Sequence, residues 1–532
     1  MISSHRRTSP RFHSHQKEAT YLPENTRTIW VSIPSDLYHW SHDPLEIVLE
    51  ERNPEKAKHK WDKWRPRIQQ NQMGDRALYV RLMSMCGGGK HCVYLGDNGI
   101  QSSPSLVKRM LPRMEWIQKI RYQDSIRHIH GVCDGIMTVS LASRLCPPIP
   151  SLPETTTHVV VYHRPTMKTP HSFVMNGTAS MWYVKKWLGE EEEGWEISPD
   201  HLLMIGEKGK CWWIVINEKE TKAVLEAVWG IRIVRSSALC YDLDSHSLPT
   251  WLYPDMKSPS SFWKEEKKKI AERVGEISLL WCCGKTERDR VYRNHGILSW
   301  KDPRFRVEML EWGETPRTEI LREIVSVNRE DNNDEWIRAD KARLYEHLSP
   351  FLQDTNLFLD FEYTEDHRIY LIGIMDQKKE QYHAFWSEDL TENGEQELFS
   401  RVQDHLCSYG PRVRCWYWYA EKKVLRDRPH PFELDHWSDL WEIARIPVVM
   451  RGALDFSLKS IANALSLQGK LPHDYHDLLC KDGEDSLQLA KSVYTKENDD
   501  DRQSLEMYNR LDCLVMLVFY KELLAILPND SI

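Results

Sequence analysis

The chain is 532 residues long, enough for two to four domains that each bury a full core. Its 41% hydrophobic and 28% charged content is that of a globular protein, and no apolar run reaches the length that spans a bilayer, so no membrane partner is expected. A net charge of −8 excludes nucleic-acid binding through overall electrostatics; such binding has to use local basic patches and metal ions.

In chain order, residues 1–25 are polar, basic and rich in His and Ser. They lack the apolar core of a secretory signal and are expected to form a disordered tail. The 12 cysteines follow no regular spacing, which implies reduced thiols in a cytoplasmic or nuclear compartment rather than a secreted protein. A first α/β domain is expected over 26–245. Ser32-Ile33-Pro34-Ser35-Asp36-Leu37 has the capping residues of a helix start, and the basic stretch Lys56–Arg67 reads as a solvated helix with Trp61 and Trp64 turned inward. Val159-Val160-Val161-Tyr162 and Cys211–Ile216 read as buried strands, with Glu190–Glu193 as an acidic loop between them. A connector is expected over 246–327. It contains a charged helix at Phe262–Val274 and, at Arg288–Phe305, two short helices joined by a Gly turn. The polar run 328–335 reads as a linker, and 336–532 as a second α/β domain.

That second domain carries the chemistry. Leu357-Phe358-Leu359-Asp360-Phe361-Glu362 reads as a buried strand with two carboxylates two residues apart, hence on one face. Two unpaired carboxylates on a core strand repel each other and resist burial, and a divalent cation removes both problems. The chain then turns at Thr364–His367 and returns as Ile369–Ile374 and His383–Trp386, a β-meander, before a helix at Glu395–Cys407. A fourth strand, Val413–Tyr419, ends where Ala420-Glu421 opens a helix, so that Glu421 can meet the first two acids. In a final amphipathic helix Tyr508 and Asp512 are four apart and share a face. Asp360, Glu362, Glu421 and Asp512 offer the oxygen ligands of two Mg²⁺ or Mn²⁺ ions, and Tyr508 is placed to orient a water or to help take its proton.

This order of motifs, strand-DxE, strand-acid and helix-YxxxD, resembles the DEDD exonucleases of the Tyr subtype, which have a ribonuclease-H-like fold. It is most similar to the ribonuclease-H-like domain at the C-terminus of certain RecB-family nucleases. Those domains share a Ser-Leu-Lys-x-Ile-Ala helix, here Ser457–Ala462, and the Tyr-Asn-x-x-Asp-Cys text at Tyr508–Cys513. The resemblance covers Leu357–Leu524 and departs at the second motif, where Glu421 stands in place of the usual Asp. It implies a 3′–5′ exonuclease that acts on DNA in preference to RNA, with Lys459 as a substrate contact. Asp439 and Asp455, between the motifs, read as capping or surface residues.

The resemblance also implies a RecB-like PD-(D/E)xK nuclease, a restriction-endonuclease-like fold, in the N-terminal half, with the Arg288–Phe305 hairpin as a helical insert. His130–Ile136 is similar to the strand whose Asp binds metal in that family, here Asp134. The Glu-x-Lys strand that should follow offers Tyr162-His163-Arg164, so a metal ligand is lost and Arg164 becomes a phosphate contact at most. The half is therefore read as a degenerate nuclease fold that binds substrate. Gly87-Gly88-Gly89-Lys90 lacks P-loop spacing, and Cys86, His91 and Cys92 lack a fourth zinc ligand. The expected function is a two-metal exonuclease. The alternatives are an inactive nuclease-fold module scaffolding a replication, repair or transcription complex, or activity in the N-terminal half centred on Asp134.

Overall fold

In the computed structural model, the run Val159-Val160-Val161-Tyr162 becomes β5 (His158–His163), with all four side chains buried as an apolar run in a central strand requires. The structure describes residues 31–33, 35–58, 76–85, 91–95, 102–125, 128–147, 151–163, 171–189, 195–206, 210–258, 262–329, 335–349, 352, 355–364, 366–410, 413–426, 429–445, 447–472, 475, 478–480, 483–496 and 499–527. The N-terminal tail, the basic stretch beyond residue 58, Cys86 to Lys90 and the acidic loop at 190–193 lie outside the described residues. The chain divides into two compact units, Met1–Val274 and Gly275–Ile532. The division runs through the expected connector, so its charged helix belongs to the first unit and 275–327 to the second.

The first unit is built on a seven-stranded mixed sheet. Its strands are β1 (Val31–Ile33), β2 (Cys92–Tyr94), β3 (Trp116–Asp124), β4 (Ile129–Thr138), β5, β6 (Ile197–Ile205) and β7 (Cys211–Val215). The order is β2-β3-β4-β5-β6-β7. β3 follows β4 along one edge, and the other edge is divided. β1 runs parallel to Ile129–Gly131, and β5 runs antiparallel to Gly135–Thr138. β5 and β6 are parallel and are joined through helix α1 (His171–Leu188), the crossover that a parallel pair demands. Helix α2 (Glu218–Ser237) opens with a capping box, in which Asn217 accepts from the Glu220 amide at 3.1 Å and Glu220 from the Asn217 amide at 2.7 Å. The charged helix forms as α3 (Lys264–Val274), and buries Lys267 between Asp43 at 2.8 Å and Glu46 at 3.1 Å.

In the second unit, β8 (Ile337–Ala339) pairs antiparallel with β14 (Val448–Met450). The main sheet holds β9 (Thr355–Tyr363), β10 (Ile369–Asp376), β11 (Tyr382–Trp386), β12 (Val413–Tyr417) and β13 (Trp437–Asp439), in the order β11-β10-β9-β12-β13. The meander β9-β10-β11 is antiparallel, while β12 runs parallel to β9 and β13 parallel to β12. Alternation along β9 separates two cores. Leu357, Leu359 and Phe361 pack with Leu398, Phe399 and Val402 of helix α4 (Glu392–Cys407). Phe358 belongs to the opposite core, with Leu505, Leu511, Val515 and Phe519 of helix α5 (Asp499–Ala525). Asp360 and Glu362 share the parity of Phe358 and face α5.

Two expectations are corrected. The hairpin at Arg288–Phe305 is a single helix, Lys285–His295, closed by Gly296 in the left-handed conformation (φ 69°). No second helix follows, only a 3-10 turn at Val307–Leu310. Pro303 disfavours helical backbone at Asp302, whose carboxylate instead takes the Arg304 amide at 2.9 Å. The expected linker begins inside a helix, Pro316–Arg329. Asn328 there donates to the carbonyls of Ile324 at 2.9 Å and Ala453 at 3.1 Å. Among the described residues no helix is long and apolar enough to cross a membrane, and every cysteine is free.

Candidate metal centre

Four acids converge on the α5 face of the sheet. Asp360 and Glu362 come from β9, and Asp512 comes from α5, one turn beyond Tyr508. Glu421 comes from the short helix Tyr419–Leu425 that follows β12. Because β12 runs beside β9 with Trp416 opposite Phe358, the end of β12 arrives next to Asp360. All four are buried, and oxygens of Asp360, Glu362 and Asp512 lie within 4.8 Å of one another. Glu421 lies near enough for its charge to act on Asp360 and Glu362 and push both carboxyls up. The extra methylene of Glu421 has a local reason. Its Oε2 reaches back to accept the Trp418 amide at 3.0 Å, a helix-capping bond that leaves its other oxygen for the cluster.

Surrounding side chains hold the acids in place. The Ser486 hydroxyl donates to Glu362 at 2.8 Å, and the Tyr475 hydroxyl donates to Asp512 Oδ1. Tyr508, one turn before Asp512, sets its ring edge-on to that of Tyr475 at 5.9 Å. Lys459, on helix Leu458–Leu467, sets its ammonium over both rings, 5.5 Å from Tyr475 and 5.6 Å from Tyr508. Asn509 bonds Asp360 twice, through the backbone oxygen at 3.1 Å and Oδ2 at 2.6 Å.

Burial is the main cause of the acids' altered acidity, and mutual repulsion adds to it. Glu362 and Glu421 are each pushed up to about 8 and Asp512 to about 6, while Asp360 is held well above the usual carboxylate range. The Lys459 charge opposes this at Glu362 and Asp512 but does not overcome it. Burial and the neighbouring carboxylates also push the Tyr508 phenol well above its ordinary value, so it keeps its proton and acts as a donor. Buried carboxyls that offer only oxygen, opposed among the described residues by Lys459, match the donor set of Mg²⁺ or Mn²⁺.

Asp439, read as a capping or surface residue, caps the helix Leu440–Ala444, whereas Asp455, read the same way, lies two residues before the Ser457 cap of the next helix. Asp439 accepts the Trp441 amide at 2.9 Å, and Asp455 accepts the Ser457 amide at 3.1 Å. In the first unit Asp134 is buried and lies 2.7 Å from the Lys119 ammonium, with the His163 amide donating to its other oxygen at 3.0 Å. Lys119 sits opposite Asp134 in left-handed backbone (φ 59°) in the middle of β3. Tyr162, where the nuclease motif would place Glu, is buried in the core, and Arg164 lies outside the described residues. Among the described residues Asp134 joins no group of three metal-type ligands.

Sequence reasoning gave no role to Ser486, Tyr475, Tyr382, Gly373, Lys119 or Asn509. Only Asn509 stood in a motif, as the second letter of Tyr-Asn-x-x-Asp. No protein-family model matches the chain, and no curated protein matches it.

Proposed function

We propose that the second unit is a metal-dependent phosphodiesterase, a 3′–5′ exonuclease that hydrolyses nucleic acid, DNA in preference to RNA. The observation that carries this reading is the meeting of Asp360, Glu362 and Asp512 at one buried point, with buried Glu421 near enough to push Asp360 and Glu362 up and, among the described residues, Lys459 as the cation that opposes the shift. The order β11-β10-β9-β12-β13 with an antiparallel meander also supports it, since that is the topology the ribonuclease-H-like resemblance implies. Two Mg²⁺ or Mn²⁺ ions held there by Asp360, Glu362, Glu421 and Asp512 would supply Lewis-acid stabilisation of the attacking and leaving oxygens. The four carboxylates hold that charge and exclude other anions. Tyr508, a protonated phenol one helical turn from Asp512, is placed to donate a hydrogen bond that would orient the attacking water. Lys459, over the two phenol rings, is the cation available to a substrate phosphate. The first unit is read as a substrate-binding rather than a catalytic module, because Asp134 is paired with Lys119 and joins no metal-type group among the described residues.

The test is incubation of the full chain with end-labelled single- and double-stranded DNA and RNA in Mg²⁺ or Mn²⁺. Stepwise shortening from the 3′ end is expected, and its loss in Asp360→Ala/Asp512→Ala. Cleavage that persists in the double variant removes the activity from this site. Absence of cleavage on every substrate favours a scaffolding role instead.

A further inference from the structure

Asn509 is fully buried on α5, between Tyr508 and Asp512 in sequence, and both ends of its side-chain amide are used. The NH₂ donates to Asp360 at its backbone oxygen and at Oδ2, and Oδ1 accepts the Tyr382 hydroxyl at 2.8 Å. Tyr382 belongs to β11, two strands from Asp360. Between them on β10, directly paired with Asp360, is Gly373. A Cβ at residue 373 would lie 1.7 Å from Asn509 Oδ1 and 2.8 Å from the Tyr382 ring, so the amide occupies a notch that exists only because the residue is glycine. With a hydroxyl donor on one side and a carboxylate acceptor on the other, the amide has one orientation that satisfies both.

Asp360 lies among three other carboxylates, and repulsion would swing its side chain away from them. The Asn509 amide opposes that swing by fixing Oδ2. We infer that Asn509, seated in the Gly373 notch and braced by Tyr382, is a positioning residue for Asp360, and that this lock sets how tightly the acid cluster holds its cation. The inference rests on the reading of the four acids as a divalent-cation site. Partners that orient a ligand from behind typically control affinity by about 10- to 100-fold.

The experiment titrates Mn²⁺ into the full chain and its variants by calorimetry, with thermal unfolding to verify folding and single-turnover cleavage measured at saturating Mn²⁺. Asn509→Ala is expected to weaken Mn²⁺ binding at least about 10-fold, and Tyr382→Phe, which removes one hydroxyl, to weaken it a few-fold. Gly373→Ala is expected to match Asn509→Ala, because its methyl evicts the amide. Gly373→Ala/Asn509→Ala is expected to be no worse than Asn509→Ala, since the methyl then meets only the Tyr382 ring, which can shift once its Asn509 partner is gone. Folded variants with wild-type Mn²⁺ affinity overturn the inference, as does additivity of the two substitutions. Weakened binding in a chain that cuts no nucleic acid keeps the lock and removes the nuclease reading. A wild-type chain that binds no Mn²⁺ removes both, and a folded Asn509→Ala chain that cleaves and keeps wild-type Mn²⁺ affinity removes the lock alone.

Discussion

Glu362→Gln should stabilise the metal-free protein at pH 8 and leave it nearly unchanged at pH 5. The Glu362 carboxyl has its ordinary value of 4.5 in the unfolded chain and is pushed up to about 8 in the folded one, first by burial and then by Asp512. A raised folded value means that the native state holds a proton the unfolded state has released. The associated stability is complete below about pH 4.5 and is lost as pH rises through about 8. At about 1.4 kcal/mol per pH unit, full ionisation costs roughly 5 kcal/mol for this side chain alone. Glu421 and Asp512 share the same protons, so the contributions do not add and a gain of a few kcal/mol at pH 8 is expected. The assay is urea unfolding in EDTA at pH 5, 6.5 and 8 for wild type and Glu362→Gln. The two curves should diverge as pH rises, and Mn²⁺ should raise the melting temperature of wild type more at pH 8 than at pH 5. Parallel profiles would refute the claim that Glu362 is an under-compensated buried acid.

Three further outcomes are expected. Tyr508→Phe removes the donor beside Asp512 and should lower the cleavage rate by about 10²-fold, with Mn²⁺ affinity changed little in the same titration. Lys459→Met should raise KM for nucleic acid several-fold while the chain still melts cooperatively, read from steady-state kinetics and calorimetry. Lys119→Met takes the ammonium from buried Asp134 and should cost about 3–5 kcal/mol in chemical denaturation. Asp134→Asn in that background should recover much of the loss without altering cleavage.

Asp360 and Glu362 were legible because β9 alternates, and a strand that turns Leu357, Leu359 and Phe361 to one core must turn its acids to the other. Tyr508 and Asp512 were legible from helical spacing alone. The position of Glu421 could be read, but not its reason, which is a capping bond to the Trp418 amide. The Asn509 lock was not legible: Gly373 and Tyr382 lie far from it in sequence and meet it only through strand register. Lys119 was hidden for another reason, since nothing in Trp116–Asp124 announces left-handed backbone in mid-strand. The missing second helix at 298–305 was in principle readable from Pro303.

The most direct test of the central claim is the anomalous-difference map of a crystal soaked in Mn²⁺ at pH 8. The four-acid reading predicts two peaks roughly 4 Å apart among Asp360, Glu362, Glu421 and Asp512. A map with no peak there would contradict it.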